Sequence, residues 1–275
     1  MKKTFFCVAL MGVGLLFPLL GATTKVPLTE NVQVPIIMYH SLADAGGSTS
    51  ISGADFEADL QYLQAEGYQA VTVADLANFV HHGRSLPPRP VVLSFDDGYY
   101  NNYSVGLPLA LSYQMPIAIS VIGKDTEIWS EIPSQDLRHG HVTWDQIREM
   151  AETGLVEILN HTWDMHKHAD GRRGAAIRPG EDKAHYRAVF QGDVEKLQHY
   201  LTERSGVTPI GFVYPFGNLC PEGEEILAEM GFLATLSCYA GVNTLVVGDS
   251  SSLFSLRRYE RTPERSLQAI LEALE

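Results

Sequence analysis

The chain is poor in basic residues, and this shortage narrows the partners it can have. It carries 20 Lys and Arg against 33 Asp and Glu, which gives a formal net charge of −13. Removal of residues 1–22, which contain two lysines and no acid, would change the charge to 18 − 33 = −15. A strongly acidic protein repels polyanions, so we expect no nucleic-acid partner. A neutral or cationic polymer is compatible with this charge.

Long apolar runs are also scarce, and the sequence has a single one, over residues 5–20. Two lysines precede it, and the small residues Gly21 and Ala22 follow it. This order is typical of a cleavable secretory signal peptide. The run is short for a membrane span, and no later segment is apolar enough to form one. We therefore expect a signal peptide over 1–22, a leader over 23–33 and a secreted or periplasmic protein without a stable membrane span.

Cysteine is the third shortage, with three in the full chain. Cys7 lies inside the apolar run, so an exported chain would keep Cys220 and Cys238. An oxidising compartment permits a disulfide between these two, but pairing depends on a geometry that sequence does not give. The oligomeric state is equally open.

Neither a biased linker nor an internal repeat interrupts the rest of the chain. Short runs of β-forming residues alternate with amphipathic stretches, some of which begin at capping boxes such as Ser52 with Asp55 and Thr143 with Gln146. This alternation is typical of an α/β fold with a largely parallel sheet, and seven or eight strands favour a closed or nearly closed barrel. We predict a single domain over 34–275.

The most informative stretch is PVVLSFDDGYY, residues 90–100. Its apolar half predicts a buried strand that ends in two carboxylates, Asp96 and Asp97. Adjacent acids at a strand end point in different directions, because successive side chains alternate and like charges repel. Gly98 then allows a sharp turn. One acid can face a metal and the other a substrate, although a surface turn explains this stretch equally well when it is taken alone.

Two more polar stretches follow the ends of later predicted strands. One begins with His161 and the other is Tyr214-Pro215-Phe216-Gly217. The carboxyl ends of parallel strands lie on one face of a sheet, where active sites are built. Three polar stretches at such ends together outweigh the surface-turn interpretation of any one of them.

The stretch HTWDMH, residues 161–166, has two histidines that a loop can bring onto one ion, although their spacing of five would splay them on a helix. With Asp97, the imidazoles of His161 and His166 form the three-residue ligand set of a catalytic Zn²⁺. Asp96 would then lie beside the activated water as its general base. His168 is a weaker candidate ligand.

Two other pairs of histidines have no acid at a strand end beside them. These pairs are His81 with His82 and His139 with His141. We expect both pairs to be exposed.

The order SFDDGYYNNY, NHTWDMH and FVYPFG resembles the polysaccharide deacetylases of the NodB-homology class, carbohydrate esterase family four. The resemblance extends over residues 34–262. It implies a distorted (β/α) barrel of about seven parallel strands. It also implies a metal-dependent hydrolase that removes N-acetyl groups from an N-acetylglucosamine polymer or peptidoglycan and releases acetate. The implied metal is Zn²⁺, with Co²⁺ or Ni²⁺ as alternatives.

The resemblance assigns roles to individual residues. Asp96 matches the catalytic base, and Asp97, His161 and His166 match the metal ligands. Thr162 matches the residue that braces the metal-binding loop.

The third motif and nearby aromatic residues suggest a substrate groove. Tyr214, Pro215 and Phe216 match one wall of the family's groove, where a backbone N–H helps to hold the oxyanion. We add Tyr99 and Trp163 as candidates for stacking on sugar rings.

The sequence departs from the family pattern in three ways. The histidine spacing is five rather than the common four, which is similar to the biofilm poly-N-acetylglucosamine deacetylases. The arginine that usually precedes the third motif and holds the base is missing, and Val213 stands near its place. We predict that Arg258 holds Asp96 instead, with Arg257 as a weaker alternative. The histidine of the last motif, the usual general acid, is also missing. We predict that His40 replaces it, although a structural histidine fits that position as well.

Other functions fit parts of this pattern. A catalytically silent sugar-binding barrel would keep the fold, but intact candidate ligands weigh against it. An esterase that acts on O-acetyl polysaccharides would use the same site. An Fe(II) oxygenase fits the ligand set but not the α/β alternation.

Overall fold

The computed structural model describes residues 31–43 and 47–274. The predicted signal peptide lies outside the described residues, as does most of the predicted leader. Across the described part of the chain, no helix is both long and apolar enough to cross a membrane.

Twelve strands lie in the described residues. They are β1 Asn31–Val34, β2 Ile36–Tyr39, β3 Gln69–Ala70, β4 Pro90–Phe95, β5 Ile117–Val121, β6 Val156–Asn160, β7 His168–Ala169, β8 Arg172–Arg173, β9 Gly211–Val213, β10 Ala234–Leu236, β11 Asn243–Val246 and β12 Tyr259–Glu260.

Eight α-helices connect or cover these strands in the same residues. They are α1 Gly53–Ala65, α2 Val73–His82, α3 Leu107–Tyr113, α4 Gly123–Glu131, α5 Trp144–Glu152, α6 Lys183–Ser205, α7 Pro221–Glu229 and α8 Leu267–Glu272.

Seven parallel strands curl into a distorted barrel, as the sequence predicted. Their order is β10-β9-β6-β5-β4-β2-β12, and β3 adds to the start of β4. The two edges are joined by the segment Leu256–Glu260, which we call the closing segment. Its first residue, Leu256, bridges to Leu236 at one edge, while Tyr259 pairs with Ile37 at the other. Residues far apart in sequence therefore meet at the closing segment.

The local sequence explains why these elements form where they do. All six positions of β4 are buried, so its continuous apolar run covers both faces of the sheet. The predicted capping boxes of Ser52 with Asp55 and Thr143 with Gln146 are both present and begin α1 and α5. A cap of this kind contributes about 1 kcal/mol to helix stability.

Three segments differ from the sequence-based expectation. Residues 31–33, assigned to the leader, form the first three positions of β1, which pairs antiparallel with β11. Residues 124–141 show no periodicity in the sequence, which predicts a loop, but they contain most of α4. The sequence also predicts a late strand over residues 253–259. The structure has only the two residues of β12 there, because the closing segment crosses from one edge to the other and pairs with each only briefly.

The cysteines are not bonded to each other. In the described residues, Cys220 and Cys238 are both free thiols. Cys220 is buried beside the Tyr186 hydroxyl at 3.3 Å, while the Cys238 sulfur lies 3.6 Å from a guanidinium nitrogen of Arg258.

Candidate active site

Two carboxylates follow the carboxyl end of β4. After Asp96, both Asp97 and Gly98 have left-handed backbone, with φ of 70° and 65°. This conformation costs most L residues about 1–2 kcal/mol, but aspartate tolerates it better than most. At Gly98 a Cβ atom would lie 2.9 Å from the Val121 side chain, so a glycine is required there. The turn directs the two adjacent carboxylates to different partners.

Asp96 is bound by a fully buried arginine. The Nη1 and Nη2 atoms of Arg258 donate to its two carboxylate oxygens at 2.7 and 2.8 Å, and the Ser120 hydroxyl donates to Oδ1 at 3.0 Å. Burial raises the pKa of Asp96, but the charge and hydrogen bonds of Arg258 outweigh it and hold that pKa well below its usual range. Arg258 thus lies where the sequence predicted, whereas Arg257 is exposed.

Asp97 meets the two predicted histidine ligands. Its Oδ1 atom lies 3.6 Å from Nε2 of His161 and 3.3 Å from Nε2 of His166. One ligand atom from each of the three residues lies within 4.8 Å of the others. Nδ1 of His161 is 2.7 Å from the carbonyl of Val213, and a carbonyl can only accept, so Nδ1 carries the proton and Nε2 is left as a lone-pair donor.

These three residues fit a divalent metal ion. Oδ1 of Asp97 is buried and has no hydrogen-bond partner among the described residues. Burial and the neighbouring His161 imidazole lower the pKa of His166 to about 4, so the His166 imidazole is neutral. A bare carboxylate oxygen facing lone pairs on two imidazoles is costly unless a cation lies between them. One carboxylate and two neutral imidazoles form a ligand set that catalytic zinc uses.

Local hydrogen bonds shape the loop that carries the two histidines. Thr162 is fully buried with a φ of 73°, its N–H donates to Oδ1 of Asn160 at 2.9 Å, and its hydroxyl oxygen accepts the N–H of Met165 at 3.2 Å. These contacts match the bracing role predicted for Thr162.

Asp193 of α6 also holds this loop, and sequence reasoning missed it. Its carboxylate accepts the backbone N–H groups of Trp163 at 2.7 Å and Asp164 at 2.9 Å. Burial raises the pKa of Asp193 to about 6. Nothing in the sequence distinguishes this acid from the exposed acids around it on α6.

The third motif contributes one exposed side chain. Phe216 is 44% exposed, and its ring centroid lies 4.4 Å from that of His166. Tyr214 and Pro215 were predicted to line the groove with Phe216, but both are buried. Tyr214 continues the extended backbone directly after β9, and its ring packs against that of Phe212 with centroids 4.9 Å apart. Side chains two residues apart on a strand point the same way, so the prediction for the Tyr214 side chain was wrong.

The Trp163 ring packs against other side chains of the protein. Its ring lies 4.5 Å from that of Tyr200 and 6.5 Å from that of Trp144, with the Lys196 ammonium 3.9 Å from its centroid. The suggestion that Trp163 stacks on a sugar is therefore not supported by its packing.

His40 and Asp96 follow the ends of two neighbouring strands. Tyr39 pairs with Phe95, and the N–H of Asp96 donates to the carbonyl of Tyr39 at 2.9 Å, so His40 comes next to Asp96 in the sheet. Its Nδ1 atom is buried without a hydrogen-bond partner in the described part of the chain. The amide of Asn102 donates to the backbone carbonyl of His40 at 2.8 Å and fixes the chain at this point.

His141 borders the site, contrary to the prediction that it is exposed. Its Nδ1 atom lies 2.9 Å from the backbone carbonyl oxygen of Asp97, and its ring stacks on Tyr99 at 5.0 Å and 26°. The loop before α5 folds back over the turn after β4, which brings His141 inward. The other three histidines of these two sequence pairs are exposed as predicted, namely His139, His81 and His82.

His168 stays outside the group of three ligands. Its ring packs edge-on against Phe216, with centroids 4.6 Å apart.

Comparisons with known proteins identify the family of this chain. The polysaccharide deacetylase family profile matches residues 83–235, more than half of the chain. The poly-β-1,6-N-acetyl-D-glucosamine N-deacetylase of Escherichia coli strain K12 is 26% identical over 271 residues. The match covers 86% of this chain but 40% of that relative, so the chain spans less than half the relative's length.

Solved structures share the fold. A de-N-acetylase from Aggregatibacter actinomycetemcomitans superposes with a TM-score of 0.75 at 24% identity, covering 88% of this chain and 99% of that one. IcaB from Ammonifex degensii gives a TM-score of 0.73 at 25% identity, with 88% and 97% covered. With the profile match, the barrel and the grouped motif residues, the chain belongs to the polysaccharide deacetylase family of the NodB-homology class.

Proposed function

We propose that the protein is a metal-dependent hydrolase that removes N-acetyl groups from an N-acetylglucosamine-containing polysaccharide. The observation that carries this proposal is the meeting of Asp97, His161 and His166 beside an ionised Asp96. The named activity of the Escherichia coli relative supports poly-N-acetylglucosamine as the first substrate to test, with peptidoglycan as the second.

Asp97, His161 and His166 would hold the metal, for which we propose Zn²⁺ first and Co²⁺ or Ni²⁺ as alternatives. A divalent ion held there would polarise the acetyl carbonyl and make a water molecule more acidic. The hydrogen bond from His161 to Val213 keeps the imidazole in the tautomer that this role needs.

Asp96 is the proposed general base. Its carboxylate accepts a proton from the water that attacks the acetyl carbonyl carbon. Arg258 keeps this carboxylate ionised and fixes its orientation through two hydrogen bonds. Orientation is the larger benefit, because a base with a strongly lowered pKa gains little driving force for proton transfer.

His40 is the proposed general acid. The C–N bond breaks as the leaving nitrogen gains a proton, and the products are acetate and a free amine. This role is supported by the position of His40 next to Asp96 in the sheet and by its unpartnered Nδ1 atom within the described residues. It would supply the proton that the missing last-motif histidine supplies elsewhere in the family.

The groove would be bounded by Phe216 on one side and Tyr99 on the other. Tyr214 donates its N–H to the carbonyl of Leu236 at 3.0 Å, and Pro215 has no N–H to offer. Of the three residues of this motif, Phe216 therefore provides the backbone N–H that we propose for the oxyanion.

We also propose that the chain is exported through a signal peptide over residues 1–22. The basic start and the short apolar run support this proposal. The deacetylase domain would then include β1 and begin at residue 31 rather than 34.

Acetate release from β-1,6-linked N-acetylglucosamine oligomers, with added Zn²⁺, Co²⁺ or Ni²⁺, tests the proposal. Release that disappears on chelation and returns with metal is the expected result. Sugar binding without acetate release would instead favour the silent barrel. Release from O-acetylated but not N-acetylated sugars would favour the esterase, and iron in the purified protein would favour the oxygenase.

A further inference from the structure

The turn that carries Asp97 is hydrogen-bonded along its length to residues 140–142. The N–H of Tyr100 donates to the carbonyl of Gly140 at 2.6 Å, and that of Val142 donates to the carbonyl of Gly98 at 2.9 Å. Between these two backbone bonds, the His141 side chain reaches the carbonyl of Asp97. Of these three hydrogen bonds, two join backbone atoms, and only the bond from His141 to Asp97 depends on a side chain.

The direction of this hydrogen bond is fixed by chemistry. A backbone carbonyl can only accept, so Nδ1 of His141 carries the proton and donates it to Asp97. The stacked ring of Tyr99 keeps the imidazole oriented for this bond. The second ring nitrogen of His141 takes no part in the contact.

The peptide between Asp97 and Gly98 needs such a restraint. Glycine places few limits on its backbone, so a peptide that precedes it can rotate at little cost. Rotation of this peptide would change the ψ angle of Asp97 and take its backbone out of the left-handed conformation. The resulting displacement of the turn would weaken the fit of the Asp97 carboxylate to His161 and His166. The hydrogen bond from His141 opposes that rotation.

We propose that His141 is a positioning residue for the metal centre, which holds the Asp97 backbone so that its carboxylate faces His161 and His166. The inference rests on the proposed metal-dependent function. It assigns His141 no contact with substrate and no role in proton transfer.

Three substitutions of His141 test which of its two ring nitrogens makes the important contact. His141→Asn places an amide N–H as many bonds from the backbone as Nδ1, whereas His141→Gln places one as far out as Nε2. His141→Phe keeps a ring for Tyr99 to stack on but has no donor. His139→Ala is the matched control, because His139 is an exposed neighbour that pairs with Asp136 outside the site.

The measurement is the Zn²⁺ dissociation constant of the metal-free protein, obtained by competition with a chelating dye, together with its Tm. We expect His141→Phe and His141→Gln to weaken Zn²⁺ binding by about 10–100-fold, the usual effect of losing a residue that orients a metal ligand. His141→Asn should recover most of the affinity. His139→Ala should match the wild type.

Equal Zn²⁺ affinity in the wild type and all three His141 variants would overturn the inference and leave the proposed function standing. Recovery by His141→Gln but not by His141→Asn would also overturn it, because Nε2 would then be the important atom. A wild-type protein that binds no Zn²⁺, Co²⁺ or Ni²⁺ would overturn the metal-dependent function and the inference together. If His141→Phe does not fold, the comparison of Asn with Gln still decides the question.

Discussion

Arg258 binds both carboxylate oxygens of Asp96 from a position 162 residues later in the chain. The arginine belongs to the closing segment, while the aspartate follows β4 in the middle of the sheet. Closure of the barrel is therefore what brings the two together. Arg258 also donates from Nε to the carbonyl of Ser237 at 2.7 Å, so its guanidinium is fixed on two sides.

Substitution of Arg258 should impair the rate without loss of metal. Arg258→Lys keeps the positive charge but loses the paired hydrogen bonds. We expect kcat for deacetylation to fall about 100-fold, the cost of slightly misplacing a reacting group, while Zn²⁺ affinity is unchanged. Steady-state acetate release and dye competition measure the two. Arg257→Lys is the exposed control, and unchanged kinetics in Arg258→Lys would refute the bracing role.

Removal of Arg258 altogether should also destabilise the fold. In Arg258→Ala the carboxylate of Asp96 would be left buried and unpaired, which costs about 3–5 kcal/mol. The double variant Arg258→Ala with Asp96→Asn should recover part of this loss, because no charge is then buried. Urea unfolding of the two variants gives the comparison, and equal stability would contradict the ion-pair account.

The two adjacent aspartates should respond differently to substitution. Asp97→Ala removes a proposed ligand and should abolish both metal binding and activity. Asp96→Asn should leave the metal bound and lower kcat by about 10²–10⁴-fold, the usual contribution of a general base. Metal content and acetate release, measured on the same samples, separate the two effects. A fully active Asp96→Asn protein would rule out Asp96 as the base.

His40 should matter most for substrates whose leaving group needs a proton. His40→Ala should slow the hydrolysis of N-acetyl sugars by about 10²–10⁴-fold. Acetate esters of acidic phenols leave without protonation, so their hydrolysis should change far less. The ratio of the two rates in wild type and variant is the measurement. Equal losses on both substrates would indicate a structural role for His40.

Glu157 should make stability depend on pH. Its carboxylate lies at the start of α2, where it accepts the N–H groups of Val73 at 2.6 Å and Ala74 at 2.9 Å. Burial raises the pKa of Glu157 from 4.5 to about 7, more than these hydrogen bonds lower it. Between these values the folded protein holds a proton that the unfolded chain has lost. The stability associated with this proton is present below pH 4.5 and is lost as the pH rises through about 7.

Glu157→Gln should remove this dependence. Across that pH range, the free energy of unfolding of the wild type should fall by about 1–3 kcal/mol relative to that of the variant. Urea unfolding at several pH values measures it, with the exposed Glu152→Gln as the control. A variant with the wild-type slope would show that another group is responsible.

The sequence predicted the parts of the site that depend on local patterns. Buried strands have strong local patterns, and Asp96, Asp97 and His161 follow such strands directly. The prediction for Arg258 came from asking which arginine could replace a missing one near the end of the sheet. The fold determined that answer through the closing segment, whose pairing to both edges no local pattern reveals.

The misses have a common physical cause. His141 and Asp193 act on backbone atoms of the site, and backbone atoms are the same for every residue type. No sequence pattern marks such partners until the loops are in place. The error at Tyr214 was different, since its spacing of two from Phe212 already indicated a shared, inward face.

The closing segment connects closure of the barrel with the orientation of the proposed catalytic base. The five residues that complete the ring of strands also deliver the guanidinium that aligns Asp96. Heat or denaturant that loosens this short junction would release Asp96 while the remaining strands stay paired. Enzymatic turnover should then disappear at a lower temperature than the circular dichroism of the barrel.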